Sequence, residues 1–454
     1  MRKYFGTDGI RRIANTELSP ELVYKVAKAG AYVLSKHTDH APTILIGRDT
    51  RISGTLIESA MVAGFLSYGA NVKLLGVIPT PAVAYLTRKL KADAGVVISA
   101  SHNTYEFNGI KYFSNKGTKI PDSLEEEIEE VMESGKLDEL TAVNDKIGVS
   151  EYRLDLIDEY VYFFRKNFDD NIEKYNKKDF VVGIDTANGA TYSVAEKVFK
   201  ALGINYKIIN NKPDGININE NCGSTHLDGL KKFVLENKLN LGIAYDGDGD
   251  RCLAIDEKGN EIDGDKLLAI ISANLRKKGK LNKDTIVATV MSNLGLNKYA
   301  RDNGLELLQT KVGDRYVLEE MLKDGFNLGG EQSGHIILLD YNPTGDGILT
   351  SLMLIQAILE EDKKASELNE IVKLYPQVLI NAKVNADKKY DYDKNEEIKQ
   401  AIEKLEKEFA GNGRVLIRPS GTEPLVRVMI EGEEQEYITK KAKEIADLIE
   451  KNLK

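Results

Sequence analysis

Apolar and polar residues fall into two rhythms in the first third of the chain. Short apolar runs at 43–47, 71–75 and 94–98 have the length of buried strands, while 55–68 repeats its apolar residues at helical spacing. That order predicts βαβ units with a parallel sheet covered by helices. The polar run Ser99-Ala100-Ser101-His102-Asn103 follows the strand at 94–98 directly. Open α/β sheets bind ligands at the carboxyl ends of their strands, so this loop stands where chemistry is expected.

An acidic amphipathic stretch at 123–139 and a helical one at 151–167 lead to Lys174-Tyr175-Asn176-Lys177-Lys178-Asp179, which reads as a solvated linker. The rhythm then restarts with a strand at 180–185, a helix at 192–202 and a strand at 241–245, which delivers Asp246-Gly247-Asp248-Gly249-Asp250-Arg251. A helix at 264–275, a strand at 285–290 and a helix at 294–302 form a third unit that carries Gly330-Glu331-Gln332-Ser333-Gly334-His335. Past a helix at 348–360 the character changes. A strand at 378–384, a charged helix at 395–409 and strands at 414–417 and 425–430 surround Arg418-Pro419-Ser420-Gly421-Thr422. The class is α/β, with four domains at 1–150, 151–255, 256–370 and 371–454: three mixed α/β domains, then a smaller α+β one.

The chain has 454 residues, room for several cores, and 71 acidic against 62 basic residues give it a net charge of −9. That balance argues against nucleic acid as the main partner. An anionic small molecule needs positive charge locally, and Lys111, Arg251, Arg418 and Arg427 lie in or beside the polar motifs. The two cysteines, Cys222 and Cys252, have neither metal-ligand nor redox spacing. No apolar run approaches the ~18 residues of a membrane span, and no cleavable apolar segment opens the chain. A cytoplasmic protein without a membrane partner is expected; the oligomeric state stays open, a homodimer included.

Three carboxylates on alternating residues repel one another, and a divalent cation is the obvious neutraliser. Gly247 and Gly249 let the side chains of Asp246, Asp248 and Asp250 converge, and an all-oxygen set suits Mg²⁺. The competing calcium loop fails because Arg251 stands where that loop needs glycine, and apolar strands flank the run. Ser101 alone would read as part of a hydroxyl-rich turn, and no Gly-x-Ser-x-Gly elbow surrounds it. Beside an acidic metal cage the same hydroxyl becomes a candidate phosphate carrier, with His102 as base or positioning group. Arg418, Ser420, Gly421 and Thr422, with Arg427 on the next strand, make a phosphate cradle. Glu331 and Ser333 can take ring hydroxyls, and His335 a phosphate or hydroxyl. The run Phe5-Gly6-Thr7-Asp8-Gly9-Ile10-Arg11 suggests a turn, while His37, His40 and His226 lack ligand spacing.

Taken together from Gly6 to Glu431, these motifs occur in the order of the α-D-phosphohexomutase superfamily, which the chain resembles. Glu331-Gln332-Ser333 and Lys311-Val312-Gly313-Asp314-Arg315-Tyr316 are similar to its amino-sugar branch; the glucose and mannose branches typically carry methionine between glutamate and serine. The resemblance implies four domains in a heart-shaped arrangement around one cleft, the last moving as a lid. It implies that phosphorylated Ser101 donates to a phosphosugar, with Mg²⁺ bridging Ser101 to Asp246, Asp248 and Asp250, and a hexose 1,6-bisphosphate as activator and intermediate. Arg418, Ser420, Gly421, Thr422 and Arg427 would hold the other phosphate; Arg251, Glu331, Ser333 and His335 would contact substrate; His102, Lys111 and Arg11 would share proton transfer and charge stabilisation. The implied reaction converts glucosamine 6-phosphate to glucosamine 1-phosphate for UDP-N-acetylglucosamine synthesis, a glucose or mannose phosphate mutase being the alternative. One departure is Thr104, where the family usually has proline, a change expected to loosen the serine loop.

Overall fold

The computed structural model describes residues 3–6, 8–36, 38–168, 179–420 and 423–454. Thr7, His37, the linker at 174–178, and Gly421 and Thr422 of the cradle lie outside the described residues. The chain forms two compact units, Met1–Met291 with Leu305–Ile371, and Ser292–Gly304 with Val372–Lys454.

The larger unit holds three sheets. The first comprises β1 (Ile10–Ile13), β2 (Thr43–Arg48), β3 (Asn71–Val77), β4 (Ala94–Ile98), β5 (Phe107–Ser114) and β6 (Ser150–Tyr152), in the order β1-β5-β4-β2-β3-β6. The parallel pairs β2–β3 and β2–β4 are those the apolar runs predict. Every residue of β4 is buried, so the serine loop leaves the sheet from its interior. Helices Pro20–Ser35 and Gly54–Tyr68 supply Val26, Ala27, Met61 and Phe65 to the core beneath Ile44, Ile46 and Val96. Ser19 caps the first by accepting from the Leu22 amide, and Pro20 fills a position where no amide bond is lost.

The second sheet is built from β7 (Val181–Asp185), β8 (Asn205–Ile209), β9 (Leu241–Tyr245), β10 (Cys252–Asp256) and β11 (Glu261–Ile262), ordered β11-β10-β9-β7-β8. The antiparallel pair β9–β10 brackets the aspartate loop, so it is a strand-to-strand turn. The third sheet, β12 (Thr285–Thr289), β13 (Glu306–Thr310), β14 (Leu328–Gly330) and β15 (Ile336–Leu338), runs β13-β12-β14-β15. Its hairpin β14–β15 carries Glu331 to His335 at the tip.

The smaller unit is the antiparallel sheet β16 (Gln377–Lys383), β17 (Gly413–Pro419) and β18 (Leu425–Gly432), ordered β16-β18-β17, with helices Glu396–Phe409 and Gln435–Leu453. Val426, Val428 and Ile430 pack against Ile438 and Ile445. Helix Leu294–Asp302 belongs to this unit: Asn293 exchanges hydrogen bonds with the Tyr375 backbone, and Glu431 accepts from the Leu294 amide.

Two expected elements differ. The acidic helix stops at Glu133, just before Gly135 with φ 75°. The stretch expected as helix at 151–167 starts as β6, paired parallel to β3, and becomes α-helical only at Ile157. Among the described residues no helix is long and apolar enough to cross a membrane.

Candidate active site

Ser101 is buried and sits at φ 53°, a left-handed conformation that costs a residue with a Cβ about 1–2 kcal/mol. The loop is held by a chain of hydrogen bonds. The Ser101 amide donates to Ser99 Oγ (2.9 Å), and Ser99 Oγ donates to Asp49 Oδ2 (2.5 Å). Asp49 also pairs with Arg51 Nε at 2.8 Å, both side chains fully buried. The Arg51 guanidinium donates to the carbonyls of Ser101 (3.0 Å), Asn103 (2.8 Å), Phe107 (3.1 Å) and Thr104. From a turn in the connection after β8, Asn219 Nδ2 donates to the carbonyls of Ser101 and Asn103, each at 2.8 Å. At Thr104, where the family usually has proline, Arg51 holds the carbonyl.

Ser101 Oγ donates to Asp246 Oδ2 at 2.8 Å. Asp246, Asp248 and Asp250 are buried, and ligand oxygens from all three lie within 4.8 Å of one another. Burial first, then the charges of Asp250 and Asp248, push Asp246 well above the usual carboxylate range. Burial acts the same way on Asp250, but His335 and Lys111 overcome it and hold Asp250 below that range. Three converging carboxylates of this kind could hold a metal ion. Asp248 Oδ1 and Asp250 Oδ1 are buried without a hydrogen-bond partner, as oxygens reserved for a cation would be.

The opposite oxygens are occupied by a ladder of alternating charge. Lys111 Nζ lies 3.0 Å from Asp248 Oδ2, 3.1 Å from Asp8 and 3.8 Å from Asp250. Burial would lower the Lys111 pKa, but the three carboxylates raise it, so this lysine is a fixed cation. Asp8 also binds Arg11 at 2.9 Å and Lys119, and Lys119 bridges to Asp314 at 2.6 Å. Thr80 Oγ1 donates to Asp248 Oδ2 at 2.7 Å. His335 is enclosed between Asp250 (3.4 Å from Nδ1) and Asp314 (3.4 Å from Nε2). Burial lowers its pKa, yet those two carboxylates raise it overall. The Gly345 amide donates to Nε2 at 3.0 Å, which marks Nδ1 as the protonated nitrogen of the neutral ring. This histidine, expected as a substrate contact, also braces Asp250 from behind.

His102 Nδ1 lies 3.5 Å from Ser101 Oγ. Burial, Arg251 and Arg11 lower its pKa to about 4, leaving a neutral imidazole at physiological pH. Arg11 Nη1 also donates to Asn103 Oδ1 at 3.2 Å. The Arg251 side chain approaches Asp250, 3.9 Å from Nε, and its amide donates to Asp246 Oδ1. On the β14–β15 hairpin, Glu331 accepts from the Gly313 amide at 3.2 Å, and burial raises its pKa. Ser333 Oγ is buried without a hydrogen-bond partner. Gln332 turns away toward Asp263, donating at 3.3 Å.

In the smaller unit, Arg418 on β17 is directly paired with Arg427 on β18. Burial and Arg427 both lower the Arg418 pKa. Among the described residues neither guanidinium meets a carboxylate. The Ser420 amide donates to the Leu425 carbonyl and Ser420 Oγ accepts from the Glu423 amide, closing the β17–β18 turn.

The sequence reading missed Arg51, Asp49, Asn219, Thr80, Asp8, Lys119 and Asp314. Asp8 and Asp314 lay inside motifs that had been noted, and the others carry no local spacing signal.

Four profiles of one family match the chain: Phosphoglucomutase/phosphomannomutase alpha/beta/alpha domain I at residues 2–139, domain II at 158–259, domain III at 263–375, and the C-terminal domain at 379–448. A phosphoglucosamine mutase from Ruminiclostridium cellulolyticum is 53% identical over 453 residues, covering 100% of both chains. A phosphoglucomutase/phosphomannomutase family protein from Burkholderia thailandensis superposes with TM-score 0.79 at 21% identity, covering 99% of this chain and 98% of that one. The Aspergillus fumigatus N-acetylphosphoglucosamine mutase, solved with GlcNAc-6P and magnesium, gives TM-score 0.64 at 17% identity, covering 100% and 96%. With full-length identity above half and all four domain profiles in order, the chain belongs to the phosphoglucosamine mutases of the phosphoglucomutase/phosphomannomutase family.

Proposed function

We propose that this chain interconverts glucosamine 6-phosphate and glucosamine 1-phosphate through phosphoserine at Ser101 and a bound 1,6-bisphosphate, as a cytoplasmic enzyme feeding UDP-N-acetylglucosamine synthesis. The observation that carries the reading is Ser101 Oγ held 2.8 Å from Asp246, at the rim of a buried three-carboxylate cluster. Phosphoserine 101 gives its phosphoryl group to O1 of glucosamine 6-phosphate. The Oγ–P bond breaks as the O1–P bond forms; O1 loses its proton and Ser101 Oγ gains one. After the bisphosphate turns over, Ser101 Oγ takes the phosphoryl group from O6, losing its own proton while O6 gains one.

Asp246, Asp248 and Asp250 would hold Mg²⁺ together with a phosphoryl oxygen on Ser101, a charge that stabilises the transferring group. The orphan oxygens of Asp248 and Asp250 fit such an ion. Lys111, braced by Asp8, adds a fixed positive charge, and His335 orients Asp250. His102 is the neutral candidate for moving the hydroxyl proton; a dianionic phosphoryl group beside it would raise its pKa by opposing Arg251 and Arg11. Arg11 and Arg251 neutralise phosphoryl oxygens. Glu331 and the unpartnered Ser333 hydroxyl take sugar hydroxyls, and Arg418, Ser420, Gly421, Thr422 and Arg427 hold the phosphate that is not transferred. A hexose 1,6-bisphosphate primes Ser101.

One observation favours a second reading, a broader glucose or mannose phosphate mutase. Gln332, the residue that most separates the branches in sequence, spends its amide on Asp263. Turnover of glucosamine, glucose and mannose phosphates, compared with Mg²⁺ and a trace of hexose 1,6-bisphosphate, tests both. Preference for glucosamine phosphate is expected; equal or better use of glucose or mannose moves the assignment, and release of inorganic phosphate without isomerisation overturns it.

A further inference from the structure

We infer that Asn219, together with Arg51, is a positioning residue for phosphoryl exchange: the two fix the serine loop by its carbonyl groups, so that Ser101 Oγ stays aimed after its phosphoryl group has left. The inference rests on the phosphoserine chemistry proposed above. Departure of the phosphoryl group removes about 1.5 to 2 negative charges from Ser101. Whatever anchoring those charges provide is absent in half of the cycle, when Oγ is held by the hydrogen bond to Asp246 and the longer 3.5 Å contact with His102. In that half Ser101 must attack the bisphosphate: a new Oγ–P bond forms as the sugar O–P bond breaks, the serine proton leaves, and the sugar oxygen gains one. The bisphosphate must not escape first.

The anchors act on the backbone and so do not depend on the state of the hydroxyl. Arg51, from the segment after β2, reaches four carbonyls of the loop. Asn219 comes from a turn in the connection between β8 and β9, the strand that delivers the aspartates, and its two amide hydrogens serve two carbonyls, those of Ser101 and Asn103. Turning the amide over would set its oxygen against both carbonyls, which fixes the orientation. Its own Oδ1 is buried without a hydrogen-bond partner, so the side chain is used only as a double donor. A Cβ on Gly247 would stand 2.5 Å from the Ser101 oxygen and 2.7 Å from Asn219 Nδ2. The Ser101 carbonyl is therefore the point where the serine loop, the aspartate loop and Asn219 meet. Asn219 sets the spacing between hydroxyl and triad from the triad's side, and Arg51 sets it from the serine's side.

The test uses the full chain with Asn219→Ala, and Arg51→Lys as a second variant, since an altered Arg51 is the more prone to fail in folding. Dephosphorylated protein is mixed with glucose 1,6-bisphosphate and Mg²⁺, quenched over time, and phosphate on the Ser101 peptide is followed by mass spectrometry. Asn219→Ala is expected to slow this step by about ten- to a hundredfold. Bisphosphate lost to solvent per turnover should rise in step, while Mn²⁺ affinity and thermal midpoint stay close to those of the unsubstituted chain. Phosphorylation within twofold of the unsubstituted rate overturns the inference, as does a slowing that merely tracks lost metal affinity or unfolding. If the unsubstituted chain takes no phosphate on Ser101, the proposed function itself fails and this inference with it. Phosphorylation of the unsubstituted chain with an unaffected Asn219→Ala defeats the inference alone.

Discussion

The serine–aspartate site in the larger unit and the arginine pair in the smaller one handle charge in opposite ways. Around Ser101 nearly every charged group is buried and already opposed: Lys111 by Asp248 and Asp8, Lys119 by Asp8 and Asp314, and Arg51 by Asp49. Arg418 and Arg427, in contrast, face each other across two strands with no carboxylate beside them among the described residues. Like charges directly opposite on a sheet cost stability. The first region is self-neutralised except for a few orphan oxygens, which suits a site that must hold a reactive hydroxyl at fixed geometry. The second stores repulsion that an anion relieves, which suits binding. The two regions, proposed for chemistry and for capture, are therefore distinguishable by charge balance alone.

The sharpest break in the comparison is Ser101→Ala, expected to lower hexose phosphate isomerisation on the order of a thousandfold or more in a coupled assay. Unchanged turnover would remove the larger unit's site from the chemistry. Next, Asp248→Asn should cut activity about 100-fold and weaken Mn²⁺ binding measured by electron paramagnetic resonance, since it deletes one of the orphan oxygens. Arg427→Gln should raise KM for the sugar phosphate about ten- to a hundredfold with a smaller change in kcat, by loss of a charged hydrogen bond. The same substitution should stabilise the protein toward urea by about 0.2–1 kcal/mol, because it ends the repulsion with Arg418. A variant that lost both binding and stability would erase the contrast between the regions.

The smallest expected effect concerns His102. Its folded pKa, about 4, lies below the usual value of 6.5, so between these the unfolded chain binds the proton and the native one does not. Stability should therefore rise with pH from about 4 to 6.5, and the His102 contribution should be flat above that range. Chemical denaturation at several pH values, comparing the unsubstituted chain with His102→Gln, reads this directly; an unchanged slope in the variant would place the titration elsewhere.

Strands β4 and β9 and the loops they deliver were legible because a fully buried strand is an uninterrupted apolar run and the polar motif begins where the run stops. The two orphaned carboxylates and the paired arginines were likewise visible as residue types. Their partners were not. Lys119 and Asp314 are 195 residues apart, and Asn219 is 118 from Ser101, so no periodicity joins them. A lone arginine after β2 reads as a surface charge until the fold wraps four carbonyls around it. The start of the expected helix at 151–167 failed because Glu151 and Tyr152 extend a sheet by pairing with Lys73 and Leu74, a tertiary contact that overrides local spacing. The end of the acidic helix was written in Gly135, which the amphipathic pattern on either side obscured.

Under the proposed function, Arg418 and Arg427, unopposed among the described residues, take an oxyanion by charge and shape, and inorganic phosphate and sulfate share both with a sugar phosphate. Buffers and precipitants made from those ions are therefore competitors. Assays run in phosphate or ammonium sulfate should understate affinity for substrate, whereas an amine buffer with chloride as the only added anion leaves Arg418 and Arg427 available and reports the enzyme's intrinsic preference among sugars.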